Sequence, residues 1–180
     1  LAEKLQSLHR ALKGYQPSSG QAGWKDRFGL NTLLGRRREE PLQGLYIFGD
    51  VGRGKSMLMD LFYETAPLER KRRVHFHAFL QDVHNRFNEF RENNSEGGDP
   101  VPSVAAAIAD EAWLLCFDEL QVVNIVDAMI MGRLFEGLLE RDVVIVATSN
   151  RPPIDLYKDG LQREKFLPFI DLISERLDIL

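Results

Sequence analysis

Four short apolar runs, GLYIF (44–48), RVHF (73–76), WLLCF (113–117) and VVIVAT (143–148), punctuate a chain of 180 residues. Three of the four lack the apolar–polar alternation of a strand with one wet face, so they are expected to be buried on both sides. Between them lie stretches of helical period: VPSVAAAIADEAW, the series Ile125, Met129, Phe135 and Leu138, and FLPFIDLI. Strand alternating with helix predicts an α/β fold, a parallel sheet sandwiched by helices, and the terminal RLDIL reads as a fifth strand. Upstream, Leu1, Leu5, Leu8 and Leu12 step by four, three and four, which puts them on one face of a helix ending near Gly14. The polar tract YQPSSGQAG (15–23) reads as a linker, dividing the chain into an N-terminal helix and linker (1–22) and a core (23–180). NNSEGGDPVP (93–102) reads as a surface loop.

Charge and cysteine content narrow the setting. A formal net charge of −4 offers no global attraction to nucleic acid or an anionic membrane. The single cysteine, Cys116, permits no intrachain disulfide and favours a reducing compartment. No apolar run approaches the roughly 18 residues of a membrane helix, and no signal-peptide pattern opens the chain. The first residue is Leu1 rather than a methionine, as expected of a fragment or a processed product.

The first run leads directly into Gly49, Asp50, Val51, Gly52, Arg53, Gly54, Lys55 and Ser56, the pattern G-x-x-x-x-G-K-[ST], with a helix expected to begin near Ser56. A turn with little side-chain bulk lets several backbone N–H groups converge on phosphate oxygens, and the following helix adds the positive end of its dipole. Lys55 would add a full charge at the β and γ phosphates, and the Ser56 hydroxyl can ligate Mg²⁺. The run WLLCF ends in Asp118 and Glu119. Two acids at the carboxyl end of a buried strand lie where open α/β sheets bind ligands. Asp118 would hold the hydration shell of Mg²⁺, and Glu119 would polarise a water for attack on the γ phosphate. The run VVIVAT continues into Ser149, Asn150 and a Pro-Pro breaker. The Asn150 amide could hydrogen-bond both the attacking water and the γ phosphate; alternatively it makes a local turn contact. No N-K-x-D guanine-reading sequence occurs, which favours ATP over GTP.

Phosphate loop, acidic strand and polar strand tip, in this order, resemble an AAA+ ATPase. The wording GLYIFGDVGRGKS…MDLFYE, RVHFHAFLQDVH, LLCFDELQV…DAM, VATSNRPP and LYKDGLQREKFLPFI is similar to the ZapE family, bacterial cell-division ATPases and their mitochondrial relatives, from about residue 40 to about 175. The resemblance implies a P-loop NTPase of AAA+ type, Mg²⁺-dependent ATP hydrolysis acting on protein assemblies, a cytoplasmic or mitochondrial matrix location, and FtsZ as the bacterial partner. It also implies a helical lid that these residues end before reaching, and a homo-oligomer with an arginine supplied in trans. Arg163 in LQREKFLP, on a helix leading away from the Asn150 strand, is the candidate. Leu120, Val123, Asn124 and Ser56 depart from the residues usual in the family, and the Asn124 change bears on the partner more than on the chemistry. A helicase loader or initiator of the same fold would bind DNA, and a small-molecule kinase would share the phosphate loop.

Other conspicuous residues have plainer readings. His75, His77 and His84 form H-x-H-x₆-H, in which alternate strand residues could share a face toward zinc, but no fourth ligand is evident. His77 is instead a candidate to touch Glu119. Cys116 reads as a packed core thiol. The basic runs Arg36 to Arg38 and Arg70 to Arg73 lack interleaved aromatics and read as solvated loops rather than a nucleic-acid grip.

Overall fold

The computed structural model describes residues 1–17, 42–52, 54–94 and 97–180. In chain order these form α1 (Ala2–Ala11), β1 (Gly44–Phe48), α2 (Lys55–Thr65), β2 (Lys71–His75), α3 (Phe76–Asn93), α4 (Pro100–Glu111), β3 (Leu114–Asp118), α5 (Ile125–Leu139) and β4 (Val144–Ser149). Two 3₁₀ turns (Pro153–Asp155 and Arg163–Lys165), α6 (Leu167–Arg176) and β5 (Leu177–Ile179) follow. The expected domain boundary at 22/23, most of the linker, Arg53 and the basic run 36–38 lie outside the described residues.

The five strands make one parallel sheet in the order β2-β3-β4-β1-β5. The order explains the apolar runs. Strands β1, β3 and β4 occupy the interior, and their alternating residues enter two different cores. Tyr46, Leu115, Phe117, Ile145 and Ala147 face one side, where Phe76 and Phe79 of α3, Ile108 of α4, Phe135 of α5 and Phe169 of α6 pack on them. Phe79, Phe117, Phe135 and Phe169 run as a chain of rings with successive centroids 4.7, 5.7 and 5.1 Å apart. Leu45, Ile47, Leu114, Cys116, Val144 and Val146 face the other side, covered by Leu5 and Leu8 of α1, Leu12 just beyond it, and Met59 and Phe62 of α2. Burial on both faces removes any need for polar alternation.

The second strand departs from expectation. It begins at Lys71, two residues before RVHF, and Phe76 belongs to α3. Phe76, Phe79, Leu80, Val83 and Phe87 recur at three- and four-residue steps and are all buried, so the helical period governs from Phe76 onward. His75 and His77 therefore do not sit on one strand face. As an edge strand, β2 is only half-buried, so it carries charge rather than a continuous apolar run. The basic run 70–73 is not a solvated loop: Lys71, Arg72 and Arg73 are ladder residues paired with Leu114, Leu115 and Cys116. The loop expected at 93–102 is shorter, because Asp99 accepts a hydrogen bond from the Val101 N–H at 3.1 Å and starts α4 at Pro100.

Candidate functional site

Beyond Phe48 the chain turns through Gly49–Gly54 into α2, whose first residue is Lys55. Gly52 and Gly54 have φ of 82° and 79°. A Cβ at either would meet no atom within 4 Å, so the demand for glycine is conformational rather than one of space. Gly54 is the N-cap of α2 and provides no side-chain cap, which leaves first-turn N–H groups for an anionic ligand. The Lys55 ammonium donates to the carbonyl oxygens of Gly49 and of Asp50, the latter at 2.8 Å, and so lies across the loop.

The acidic tip stands one strand beyond β4. Asp118 is 8 % exposed. Its carboxylate accepts a fork from Arg73 of β2, Nε to Oδ2 at 2.7 Å and Nη2 to Oδ1 at 3.1 Å, and Arg73 Nη1 also donates to Asp60 of α2. These bonds, those to Asp118 foremost, hold the guanidinium pKa above its ordinary value. Glu119 adopts a left-handed φ of 56°. The bend is locked to β4: Glu119 N donates to Thr148 Oγ1 at 3.2 Å, Leu120 N to Thr148 O at 2.7 Å, and Ser149 Oγ to Leu120 O at 2.9 Å. The buried hydroxyl of Tyr46, on the strand that feeds the glycine turn, donates to Arg151 O at 2.8 Å and pins the segment just after Asn150. Burial pushes that phenol up to about 12.

A cavity of about 340 Å³ lies where these tips meet, lined by Val51, Gly52, Gly54, Lys55, Ser56, Glu119, Thr148, Ser149 and Asn150. Its size falls within the ordinary range of small-ligand sites. A smaller space of about 210 Å³ shares Glu119, Ser149 and Asn150 with it and adds Leu120, Gln121, Arg151 and Leu156. The structure thus brings together the glycine turn, Lys55, Ser56, Glu119 and Asn150. Gly49 and Asp50 meet Lys55 through their carbonyls. Asp118 is turned toward Arg73 and does not line the cavity.

Arg163 lies elsewhere, and in a 3₁₀ turn rather than the expected helix. Gln162 before it takes a left-handed φ of 54°, and the helix starts only at Leu167, with Pro168 in its first turn. The Arg163 Nη2 donates to Ile154 O, while its Nε is buried without a partner among the described residues. The histidines are dispersed. His84 Nε2 pairs with Asp127 Oδ1 at 2.7 Å, and His77 lies 3.3 Å from the Gln81 amide rather than at Glu119. Asn124 caps α5 by accepting from Asp127 N at 2.8 Å. Sequence reasoning gave no role to Arg73, Thr148 or Tyr46. An arginine placed two residues before the tip of an edge strand next to the acidic strand is the signal by which Arg73 was open to discovery.

The family model of the AFG1-like ATPases matches residues 2–180. The chain belongs to the AFG1-like ATPase family. Lactation elevated protein 1 homolog B of Danio rerio is 52 % identical over 145 residues, 77 % of this chain and 29 % of that protein. Cell division protein ZapE of Escherichia coli K12 is 43 % identical over 167 residues, 91 % of this chain and 43 % of ZapE. This AFG1-like chain therefore spans less than half the length of these relatives, and the similarity to ZapE read from its motifs holds. AMPPCP-bound DnaA from Aquifex aeolicus matches with a TM-score of 0.56 at 16 % identity, covering 94 % of this chain and 48 % of that one. The DnaC helicase loader matches with a TM-score of 0.55 at 14 % identity, covering 94 % of each. At such identities the likeness is one of fold, that of the AAA+ P-loop ATPases.

Proposed function

We propose that this chain is the nucleotide-binding core of a magnesium-dependent ATPase. The observation that carries the reading is the single cavity where the glycine turn, Lys55 and Ser56 meet Glu119 and Asn150. The turn's N–H groups and the α2 N-terminus would bind the phosphates, and Lys55 would exchange its two loop carbonyls for phosphate oxygens. Glu119, held toward the cavity by Thr148, would accept the proton of the attacking water, and Asn150 would orient that water beside the γ phosphate. Ser56 and Asp118 would hold magnesium, which would supply positive charge to offset that of the phosphates. Ser56 lines the cavity, and Asp118, although turned toward Arg73 beside it, keeps on each oxygen a lone-pair direction beyond the one given to Arg73, so oxygen donors of the kind magnesium takes are at hand.

The finer reading follows the relatives. Cell division in the name of ZapE supports a role in regulating or remodelling a protein assembly, with an FtsZ-like polymer as the bacterial candidate. The cytoplasm, or the mitochondrial matrix in a eukaryote, is the compartment in keeping with it; among the described residues no helix is long and apolar enough to cross a membrane. Val123, Val126 and Met129 are exposed apolar residues around the start of α5, a surface suited to a second copy that would present Arg163 in trans. The fold of DnaC lends the helicase-loader alternative its support; DNA binding that weakens steeply with salt would favour it.

The test is a pair of variants assayed for ADP binding and phosphate release. Lys55→Ala should weaken nucleotide binding about 10- to 100-fold, the equivalent of a charge-assisted hydrogen bond worth about 1.5–3 kcal/mol. Glu119→Gln should bind normally yet release phosphate roughly 10²- to 10⁴-fold more slowly. Normal turnover by the glutamine variant would remove Glu119 from this role.

A further inference from the structure

Arg73 joins two carboxylates from different elements, Asp118 at the tip of β3 and Asp60 in the helix that follows the glycine turn. Register brings it there: Arg73 pairs with Cys116, two residues before Asp118 on the same face of the neighbouring strand. An ion pair this poorly exposed is weak evidence for stability in itself, because desolvation offsets much of the attraction.

We propose that Arg73 is a positioning residue that stands in for the metal's charge at Asp118, so that magnesium enters this site only together with the phosphates of a nucleotide. The inference rests on the assignment of Ser56 and Asp118 to magnesium. Without Arg73, the two carboxylates it joins, buried Asp118 and the half-exposed Asp60, would keep two negative charges with no guanidinium between them, and oxygen donors of that charge attract a divalent cation unaided. The guanidinium offsets one of the two charges and fixes both Asp118 oxygens by its fork. A triphosphate restores the negative charge, and lone pairs that Arg73 leaves on Asp118 can then accept from metal-bound water. Arginine suits the task because its charge persists at any physiological pH.

The experiment measures binding of MgCl₂ alone, ADP alone, and ADP with MgCl₂ by calorimetry and by the midpoint of thermal unfolding. In the natural protein MgCl₂ alone should bind weakly and leave the midpoint unchanged, while MgCl₂ should tighten ADP binding. Arg73→Gln should acquire binding of MgCl₂ without nucleotide at least about tenfold tighter than the natural protein, by removal of the opposing charge. Arg73→Lys, which keeps the charge, should behave as the natural protein. The double variant Arg73→Gln/Asp118→Asn should lose what Arg73→Gln gained. Equal nucleotide-free responses in the natural protein and Arg73→Gln, or a response that survives in the double variant, overturn the proposal. If Arg73→Gln does not fold, the Arg73 Nε–H resonance of the natural protein decides: it should stay in place with MgCl₂ alone and move with MgCl₂ plus ADP. Movement with MgCl₂ alone, or none with both, overturns it. A natural protein that binds no ADP at all would instead sink the nucleotide reading on which this one depends.

Discussion

A left-handed glutamate is held in place by a neighbour's hydroxyl, and that dependence can be measured. Non-glycine residues in this region cost about 1–3 kcal/mol and persist only where surrounding structure fixes them. At Glu119 the fixing comes from Thr148, whose backbone carbonyl and side-chain oxygen take the N–H groups of Leu120 and Glu119. Thr148→Val keeps shape and volume but leaves the Glu119 N–H without its acceptor. The substitution should lower unfolding free energy by about 0.5–1.5 kcal/mol in urea titrations, the net contribution of one part-buried hydrogen bond. It should also slow phosphate release by more than it weakens ADP binding, because Glu119 rather than the phosphate cradle loses its orientation. A variant in which ADP affinity falls as far as turnover would mean that Thr148 supports the cradle instead. At the same scale, Arg163→Ala should bind ADP normally and release phosphate slowly in concentrated, assembled protein, since its guanidinium lies against Ile154 O and away from its own chain's cavity. Unchanged turnover per subunit under those conditions would exclude Arg163 from the reaction.

At the level of elements, α1 is joined to the core through Leu5, Leu8 and Leu12, which meet Met59 and Phe62 of α2 beneath the sheet. Leu12 is fully buried. Leu12→Ala should therefore cost about 2–5 kcal/mol of stability in urea unfolding, whereas Leu1→Ala, at an exposed position, should cost little. Equal effects would show that the leucine face does not dock as a unit. This helix was legible in the sequence because its period is regular, and β1, β3 and β4 were legible because burial on both faces leaves continuous apolar runs. The edge strand β2 was legible only in its second half, where RVHF covers Arg73–His75. Lys71 and Arg72 lie on a strand with one strand neighbour and half-exposed side chains, so their composition resembles a loop's, and the ladder with β3 makes them strand residues. The same blindness hid part of the site. Lys55, Ser56, Glu119 and Asn150 announce themselves by motif, but the partner of Asp118 comes from β2, forty-five residues earlier, and is fixed by register alone. Arg163 in LQREKFLP reads as helical, continuous with FLPFIDLI, but Arg163–Lys165 form a 3₁₀ turn and the α-helix begins only at Leu167, where Pro168 fits the first turn and not a helix interior.

Across the whole molecule, three weak acids on separate elements share one physical situation. Burial raises the Cys116 thiol on β3 to about 12, the Tyr46 phenol on β1 to about 12, and the Tyr15 phenol after α1 to about 12, with nearby Asp142 adding to the last. Each sits above its unfolded value, near 9 for the thiol and 10 for the phenols, so between those values and about 12 the unfolded chain has released protons that the folded one keeps. Stability depends on pH through that difference, and it falls with rising pH wherever the unfolded state binds fewer protons. The contribution is intact below about pH 9 and is lost progressively as pH climbs from 9 toward 12. Thermal or urea midpoints measured across this interval should decline, and the decline should be shallower in Cys116→Ala and in Tyr46→Phe, each of which deletes one titrating group. Because Tyr46 and Cys116 stand in two central strands, β1 and β3, on either side of β4 and on opposite faces of the sheet, their protons should be released only on global unfolding. Thiol labelling of Cys116 should accordingly track the unfolding transition at every pH tested, and labelling that runs ahead of it would show that the second core layer opens separately from the first.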